Sequence, residues 1–428
     1  MPLGNAYVRA SLPPPHDPHK PPGTIRAGRR VPGLEAGFSP NDRAPVFTQT
    51  PQRSGEYLAP MTTPKILTPY EFARTGAQVP NRTVLAAMTN KQSAADGSLG
   101  EDELRWLTAR ARGGFGIITT CAAHVSPDGQ GWDGELGVFD DSLLPGLSRL
   151  AGALRDEGAL SLVQIFHGGV RAPSRLTGQQ PFSASAFELD AKDFEVPREA
   201  TVDDIERTIA AFAAAARRCA EAGFDGVEIH GAHGYLITQF LGTVSNTRDD
   251  DWGGPLEHRA RFVRRIVAAV REATPDVFLV GVRISPEVPD QGVDLDESLK
   301  VAGWLAEDGV DFVHVSNWDS FKPPAKYPAS TKPLTTRFRE AIGPLTPMIA
   351  TGAVWTPAEA DLVLEQGADL VGLGRAAIGN VRWPRDAAVR GWEPARPPFT
   401  PGHLRAASLS DTMVDYMRRW PGFVTDGR

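Results

Sequence analysis

The sequence predicts an α/β protein whose fold is a (β/α)8 TIM barrel. Eight short apolar runs alternate with helix-patterned segments over roughly 310 residues of the 428-residue chain. Because these runs are apolar throughout, they indicate parallel strands that helices cover on both faces. Eight such repeats, with no GxGxxG phosphate loop after the first strand, favour a closed barrel over an open doubly wound sheet.

The strands and helices follow one another at regular intervals. We predict strands at 82–88, 116–122, 160–167, 226–230, 278–285, 312–317, 347–352 and 370–375. Helical patterns occupy 101–112, 142–157, 201–221, 255–273, 296–308 and 357–366. The helix at 201–221 has the clearest boundaries, because Thr201 and Asp204 form a capping box and Gly223 follows its last turn.

Segments of different composition flank the barrel. Residues 1–60 contain 12 of the 37 prolines and few aliphatic side chains, so we predict that they are disordered. The barrel is assigned to residues 61–390. Met61 offers an alternative start, so it stays open whether residues 1–60 belong to the mature protein. Residues 391–428 are apolar enough to pack on the barrel or on the neighbouring subunit of a homo-oligomer.

Composition limits the classes of partner. A net charge of -7 argues against nucleic acid or an anionic membrane as the main partner. No apolar run approaches the length of a membrane-spanning helix. Cys121 and Cys219 are too few for a disulfide framework and too far apart for a CxxC site, which favours a reducing, cytoplasmic location. We therefore expect a small-molecule substrate.

Polar side chains and glycines collect where the predicted strands end. The active site of a TIM barrel forms at these carboxyl ends, and polar groups are rarely buried there without partners. The residues concerned are Thr89, Gln164, His167, His230, His233, Arg283, Ser316, Asn317, Gly352, Gly374 and Arg375. We expect most of this set to form one site.

The ends of strands 7 and 8 indicate a phosphorylated ligand. Gly352 lies in "ATGAV" and Gly374 in "GLGRA". Glycines at these positions let backbone N–H groups approach an anion, and TIM barrels commonly bind phosphate here. Arg375 adds a guanidinium that can chelate the phosphate.

The loop after strand 4 brings together His230, His233 and Tyr235. Two imidazoles can donate hydrogen bonds to one oxygen, and a phenol is a weak acid suited to protonating a carbanion. Reduction of an α,β-unsaturated carbonyl compound needs hydrogen-bond donors for its oxygen and an acid that protonates its carbon. The alternative is a metal-dependent TIM-barrel hydrolase, because an HxxH pair can also chelate. Strand 1 lacks the HxH of such enzymes and strand 8 ends in Gly-Arg, so we expect no metal.

Residues 64–390 resemble the old yellow enzyme family of FMN-dependent NADH:flavin oxidoreductases and ene-reductases. The resemblance is carried by "VPNRTVLAAMT", "GGFGIITTCAAHVSPDGQG", "VQIFHGG", "HGAHGYLITQFLGTVSNTRDDDWGGPLEHRARF", "VGVRISP" and "IATGAV…GADLVGLGR". It implies that NADH or NADPH reduces FMN and that hydride then passes from flavin N5 to Cβ of an activated alkene. The larger family members with a cysteine cluster and a second nucleotide domain do not fit this chain.

The resemblance also implies roles for individual residues. His230 and His233 match the pair that holds the substrate carbonyl, and Tyr235 matches the donor of a proton to Cα. FMN contacts are implied for Thr89 beside N5 and O4, Ala122 at the same edge, Gln164 at the pyrimidine, Arg283 near N1, and Gly352, Gly374 and Arg375 at the phosphate.

Several positions depart from the family pattern. Ala87 replaces a usual proline. Lys91 stands where one branch has a substrate-facing aromatic residue, so we expect Lys91 to contact the substrate and make that corner of the pocket cationic. The arginine of the strand 3 loop is shifted, with Val170 in its place and Arg171 next. Trp318 in the strand 6 loop is expected to line the substrate entrance. These departures leave open an alternative function, a flavin-dependent desaturase or demethylase dedicated to one biosynthetic substrate.

Overall fold

The eight strands close into a parallel barrel in which each strand pairs with its neighbours in sequence. The computed structural model describes residues 63–188 and 194–425, so the predicted disordered segment 1–60 lies outside the described residues. The strands are β1 Thr83–Leu85, β2 Ile117–His124, β3 Leu160–Phe166, β4 Gly226–Gly231, β5 Leu279–Ile284, β6 Phe312–Ser316, β7 Met348–Thr351 and β8 Leu370–Leu373. The predicted TIM barrel is confirmed.

Helices cover the barrel between successive strands. They are α1 Glu101–Arg112, α2 Leu144–Asp156, α3 Val202–Glu221, α4 Arg261–Glu272, α5 Leu295–Glu307, α6 Leu334–Ile342, α7 Pro357–Glu365 and α8 Arg375–Gly379. Shorter α-helices are Ser174–Thr177, Leu236–Leu241, Leu256–Arg259, Trp383–Ala387, Pro401–Ala406 and Asp411–Met417. The capping box of Thr201 and Asp204 at the start of α3 is present.

Four elements differ from the sequence-based expectation. Strand β1 covers only residues 83–85 of the predicted 82–88, whereas β2 extends to His124. The helix predicted at 255–273 is divided at Ala260 into two helices. Helix α6 was not predicted, because its nine residues follow a proline-rich loop and offer little more than two turns of periodicity.

An apolar floor closes the amino-terminal end of the barrel. A hairpin of Tyr70–Phe72 and Ala77–Val79 covers this end, and the Phe72 ring lies 6.4 Å from the ring of Phe312 inside the barrel. Gly281 leaves room for that ring, because a Cβ on residue 281 would lie 2.1 Å from it. The functional groups are therefore confined to the upper part of the barrel.

Polar residues replace this apolar packing toward the carboxyl ends of the strands. Strand register places Gln164 beside Glu228 and His314 beside Arg283. His230 pairs with the same Arg283 on the other side of β5. Because side chains alternate along a strand, residues two apart, such as Glu228 and His230, project to the same side. The barrel therefore carries stacked polar positions below its mouth.

The carboxyl-terminal segment lies against the loop that follows β1. Ser410 caps the helix Asp411–Met417, and its Oγ donates a hydrogen bond of 2.6 Å to Oε1 of Gln92. Nη1 of the buried Arg110 donates to the carbonyl oxygen of Ala407 at 2.8 Å. These contacts hold the helix Asp411–Met417 beside one side of the barrel mouth.

Candidate active site

The end of β4 brings His230, His233 and Tyr235 together. His233 adopts a left-handed conformation with φ 63°, and Gly234 follows with φ 77°, so the chain turns sharply before the helix Leu236–Leu241. The backbone N–H of His233 donates to Oγ of Ser285 at 3.0 Å and fixes the turn. The His230 ring centroid lies 4.9 Å from that of His233 and 5.1 Å from that of Tyr235.

Tyr235 stands in an aromatic wall at the mouth. Its ring lies edge-on to Phe166 at 5.0 Å and 6.5 Å from Trp132, and the Arg171 guanidinium lies 5.4 Å from its centroid. Burial raises the pKa of Tyr235 to about 12, although Arg171 opposes this through its charge and its hydrogen bond to the phenol. The phenol therefore keeps its proton at neutral pH.

Both imidazoles are neutral near pH 7. Burial lowers the pKa of His230 well below its ordinary value, and the charges of His233 and Arg283 act in the same direction. Burial likewise lowers the pKa of His233 well below its ordinary value, assisted by Arg283 and Arg171. Among the described residues Nδ1 of His230 is buried without a hydrogen-bond partner. A buried ring nitrogen of this kind favours a ligand that can bond to it.

A hydrogen-bond chain links His233 to Arg283 through Ser316. Nε2 of His233 lies 2.7 Å from the Ser316 hydroxyl, and Nη2 of Arg283 donates to the same oxygen at 3.1 Å. Nη1 of Arg283 donates to the carbonyl oxygen of Ala87 at 3.3 Å. The remaining nitrogen, Nε, is buried and finds no hydrogen-bond acceptor in the described chain.

Glu228 organises the polar layer beneath the histidines. Its carboxylate accepts from Nε2 of Gln164 at 2.6 Å and lies 2.5 Å from Nδ1 of His314. Nε2 of His314 in turn lies 2.6 Å from Oγ1 of Thr351. Burial alone would raise the pKa of Glu228, but His314 and Arg283 hold it below its ordinary value. This network fixes the orientation of Gln164 and His314.

The residues implied in FMN binding surround the mouth. Thr89 follows β1, and Ala122 lies in β2 where the pairing register with β3 shifts. Gly352 passes so close to the neighbouring chain that a Cβ would lie 2.6 Å from the carbonyl oxygen of Asn317. Gly374 precedes α8, and Arg375 is exposed at its first position. Backbone N–H groups and a guanidinium at β7 and β8 suit a phosphate, and the open Nε of Arg283 suits a flavin acceptor. The donor set fits FMN.

The carboxyl-terminal segment contributes side chains that the sequence prediction missed. The Tyr416 hydroxyl hydrogen-bonds with Thr89. The Lys91 ammonium lies 5.9 Å from the Tyr416 ring centroid, and the Arg419 guanidinium lies 4.9 Å from it. Lys91 itself adopts a left-handed conformation with φ 58°. The predicted substrate residue Lys91 therefore lies at the mouth, together with the unpredicted Tyr416 and Arg419.

Trp318, the fourth predicted substrate residue, lies in the loop that follows β6. It is 45% exposed, whereas His230 is 3% exposed. The sequence prediction also omitted Glu228 and His314 as site residues. The sequence could have indicated both residues, because side chains two positions apart in a strand project to the same side. Glu228 precedes His230 by two positions, and His314 precedes Ser316 by two.

Comparison with known proteins assigns the family. The model of the NADH:flavin oxidoreductase / NADH oxidase family matches residues 65–390. The chain belongs to this family. It is 37% identical over 320 residues to the probable NADH-dependent flavin oxidoreductase YqiG of Bacillus subtilis (strain 168), which covers 74% of this chain and 85% of that protein. The family is that of the old yellow enzymes, as the resemblance implied.

Two further relatives show the range of the family. The solved structure of the old yellow enzyme homologue from Zymomonas mobilis matches with a TM-score of 0.71 at 25% identity, over 81% of this chain and 99% of that one. The NADH:fumarate oxidoreductase of Klebsiella pneumoniae (strain 342) is 33% identical over 328 residues, which are 74% of this chain but 35% of that longer protein. Family membership confirms FMN as the cofactor and NAD(P)H as the reductant, and makes the protein an oxidoreductase.

The described residues offer neither a metal cluster nor a membrane-spanning helix. Residues 63–188 and 194–425 contain no group of three or more His, Cys, Asp or Glu side chains placed to hold a metal ion. Within the same ranges no helix is long and apolar enough to cross a bilayer. The family match argues against the metal-dependent hydrolase alternative, whereas the lack of a metal-binding group among these residues does not.

Proposed function

We propose that the protein is an FMN-dependent NAD(P)H:alkene oxidoreductase, an ene-reductase that acts on α,β-unsaturated carbonyl compounds. The observation that carries the proposal is the convergence of His230, His233 and Tyr235 at the end of β4, with ring centroids about 5 Å apart. Two neutral hydrogen-bond donors and one protonated acid stand together there. An enolate that forms from an enone needs these groups.

The FMN would be held by the residues that line the mouth. Thr89, Ala122, Gln164 and Arg283 would contact the ring system, and Gly352, Gly374 and Arg375 would contact the phosphate. When bound, FMN supplies the hydride that the alkene receives at its β carbon. In the overall reaction the C=C bond gains one hydride and one proton, and NAD(P)H leaves as NAD(P)⁺.

The histidines would hold the carbonyl oxygen of the substrate. Arg283 can only donate hydrogen bonds, so Ser316 Oγ accepts from it and can give its own hydrogen to Nε2 of His233. This arrangement favours the His233 tautomer that carries its proton on Nδ1, where it can be donated to a ligand. His230 adds its free Nδ1 to the same space. Both rings strengthen their hydrogen bonds as negative charge develops on the oxygen.

Tyr235 would deliver the proton to the α carbon. Because its pKa lies near 12, the phenol is protonated throughout the neutral range and needs no general base to load it. The Arg171 guanidinium lies over its ring and stabilises the phenolate that remains after proton transfer. Solvent then restores the proton.

Replacing Tyr235 with Phe tests the proposal. We expect stopped-flow reduction of the flavin by NAD(P)H to change by less than about twofold, because that step needs no phenol. Oxidation of the reduced enzyme by 2-cyclohexenone should slow by about 10²–10⁴-fold. Tyr327→Phe, on the exposed loop after β6, is the matched control. Equal slowing of both half-reactions would contradict the role of Tyr235.

Lys91 and the shifted Arg171 support a second candidate, a flavin-dependent desaturase or demethylase dedicated to one substrate. Both residues would recognise a particular substrate rather than a general enone. The two candidates differ in the direction of electron flow. A desaturase would bleach its flavin when mixed anaerobically with a saturated substrate and no NAD(P)H, whereas the proposed reductase would stay oxidised under those conditions.

A further inference from the structure

Three cationic side chains at the barrel mouth lack carboxylate partners. Lys91, Arg171 and Arg419, which we call the cationic corner, are all half-buried. Among the described residues none of them forms an ion pair with an acidic side chain. Asp133, the nearby acid, pairs instead with Arg175 at 3.1 Å, and Asp415 lies 3.4 Å from Arg418.

The cationic corner contacts two tyrosines of the candidate active site. Lys91 and Arg419 both lie within 6 Å of the ring centroid of Tyr416, whose hydroxyl hydrogen-bonds with Thr89. Arg171 lies 5.4 Å from the ring centroid of Tyr235, the proposed proton donor. The corner therefore borders the space in which an alkene would lie.

The protein holds these charges together at a cost in free energy. Burial lowers the pKa of Lys91, and Arg419 and Arg175 lower it further against the opposing effect of Asp133. Contacts with aromatic faces offset only part of the cost of partly burying a cation. The loop of Lys91 is nevertheless anchored, because Gln92 accepts two hydrogen bonds from Ser410. Anchored cations without anionic partners are typical of a site for an anionic ligand.

We propose that the cationic corner binds a carboxylate of the substrate, so that the enzyme selects alkenes carrying a carboxylate in addition to the activating carbonyl group. This inference rests on the proposed function and names its substrate class. The other source of anionic oxygen is the phosphate of NAD(P)H. A ribose separates the first phosphate from the nicotinamide ring, whereas Arg171 touches Tyr235 itself. The position of the corner therefore favours a carboxylate on the compound that Tyr235 protonates.

Two phenols that have nearly the same shape but differ in charge test this proposal. We suggest titrating the FMN-loaded enzyme with 4-hydroxybenzoate and with 4-hydroxybenzamide, using calorimetry and the flavin absorption spectrum. Both phenols can present their oxygen to His230 and His233, but only the benzoate offers a carboxylate to the corner. We expect the benzoate to bind at least about tenfold more tightly, because charge-assisted hydrogen bonds are the stronger ones.

Variants assign the preference to the corner. Lys91→Met and Arg419→Met should each reduce the preference about threefold or more, and the double variant should reduce it further, to what Arg171 alone supports. Lys91→Arg should retain the preference. Arg418→Met is the matched control, because Arg418 is adjacent in sequence but exposed and lies 3.4 Å from Asp415. Affinity for the amide should stay within about twofold in all variants.

Each other outcome would overturn the inference in a distinct way. If both phenols bind equally to the unmodified enzyme, or the preference is undiminished in the double variant, the corner does not bind a carboxylate. If the variants weaken only NADPH binding in anaerobic titrations, the corner binds the reductant. If neither phenol binds, the proposed carbonyl site of His230 and His233 fails, and this inference fails with it.

Discussion

The polar residues in the upper barrel form two groups that differ in how their charges are satisfied. The inner group, Gln164, Glu228, His314 and Thr351, is joined by hydrogen bonds of 2.5–2.6 Å from one member to the next. The outer group consists of His230 and the cationic corner. His230 leaves one ring nitrogen without a partner, and the corner has no carboxylate partner among the described residues. Arg283 belongs to both, since it neighbours Glu228 and keeps its Nε open.

This difference in hydrogen bonding indicates which residues maintain the fold and which bind a ligand. A buried polar network that is fully paired stabilises one arrangement of its members, and loss of one member leaves the others uncompensated. Unpaired groups at the mouth contribute little to stability, and a ligand can satisfy them. Substitutions in the inner group should therefore affect folding, and substitutions in the outer group should affect binding.

Glu228→Ala should have the largest effect on stability. It removes the acceptor for Gln164 and the partner of His314 and Arg283, so three buried cationic or polar groups lose a partner. We expect the free energy of unfolding of the FMN-free protein to fall by about 3–5 kcal/mol in urea titrations. Arg419→Met, in the outer group, should change it by less than about 0.5 kcal/mol. Similar losses in both variants would remove the distinction between the groups.

The sequence predicted the site residues at the end of β4 better than the interior pair Glu228 and His314. His230, His233 and Tyr235 are adjacent in a loop, so their chemistry could be inferred from a short motif. Glu228 and His314 lie inside the apolar runs that predict β4 and β6. Only polar residues at strand ends were predicted to form the site, so these two were not included. Their partnership depends on strand register and on barrel closure, which bring β4 and β6 side chains together across the interior.

The carboxyl-terminal contribution could not be predicted from local pattern. Tyr416 and Arg419 are more than 300 residues from Thr89 and Lys91 in sequence. Their position depends on the capping of one short helix by Ser410 and on the attachment of Ser410 to Gln92. Those are tertiary contacts between polar side chains, which hydrophobic periodicity does not report. The sequence did indicate that the tail was apolar enough to pack, but not where.

Arg375→Ala should have an intermediate effect. It should weaken FMN binding and leave the stability of the fold unchanged. The side chain is exposed beside the glycines at the ends of β7 and β8. Loss of one charge-assisted contact with phosphate should weaken FMN binding by about 1.5–3 kcal/mol, or roughly 10–150-fold. Fluorescence titration of the FMN-free protein would measure this. Arg382→Ala, an exposed arginine paired with Asp386, is the control. FMN affinity that is unchanged in Arg375→Ala would show that the phosphate lies elsewhere.

Glu135 belongs to neither group and should show the smallest effect. Like Glu228 it is fully buried, and it accepts from the backbone N–H groups of Gly131 and Trp132 and lies 3.1 Å from His124. Among the described residues no arginine forms an ion pair with it, and burial raises its pKa from 4.5 to about 7 despite those partners. The Glu135 carboxylate is therefore protonated more readily than that of Glu228.

A raised pKa in the folded state makes stability depend on pH in a defined direction. The protonated form fits the fold, so its full contribution is present below pH 4.5 and is lost as the pH rises through about 7. The free energy of unfolding of the unmodified protein should therefore fall between pH 5 and 7 by about 1–2 kcal/mol more than that of Glu135→Gln, which cannot ionise. Urea titrations with saturating FMN at both pH values would measure the difference. Parallel pH profiles would mean that Glu135 is ionised throughout, and that its hydrogen bonds compensate its burial as fully as those of Glu228 do.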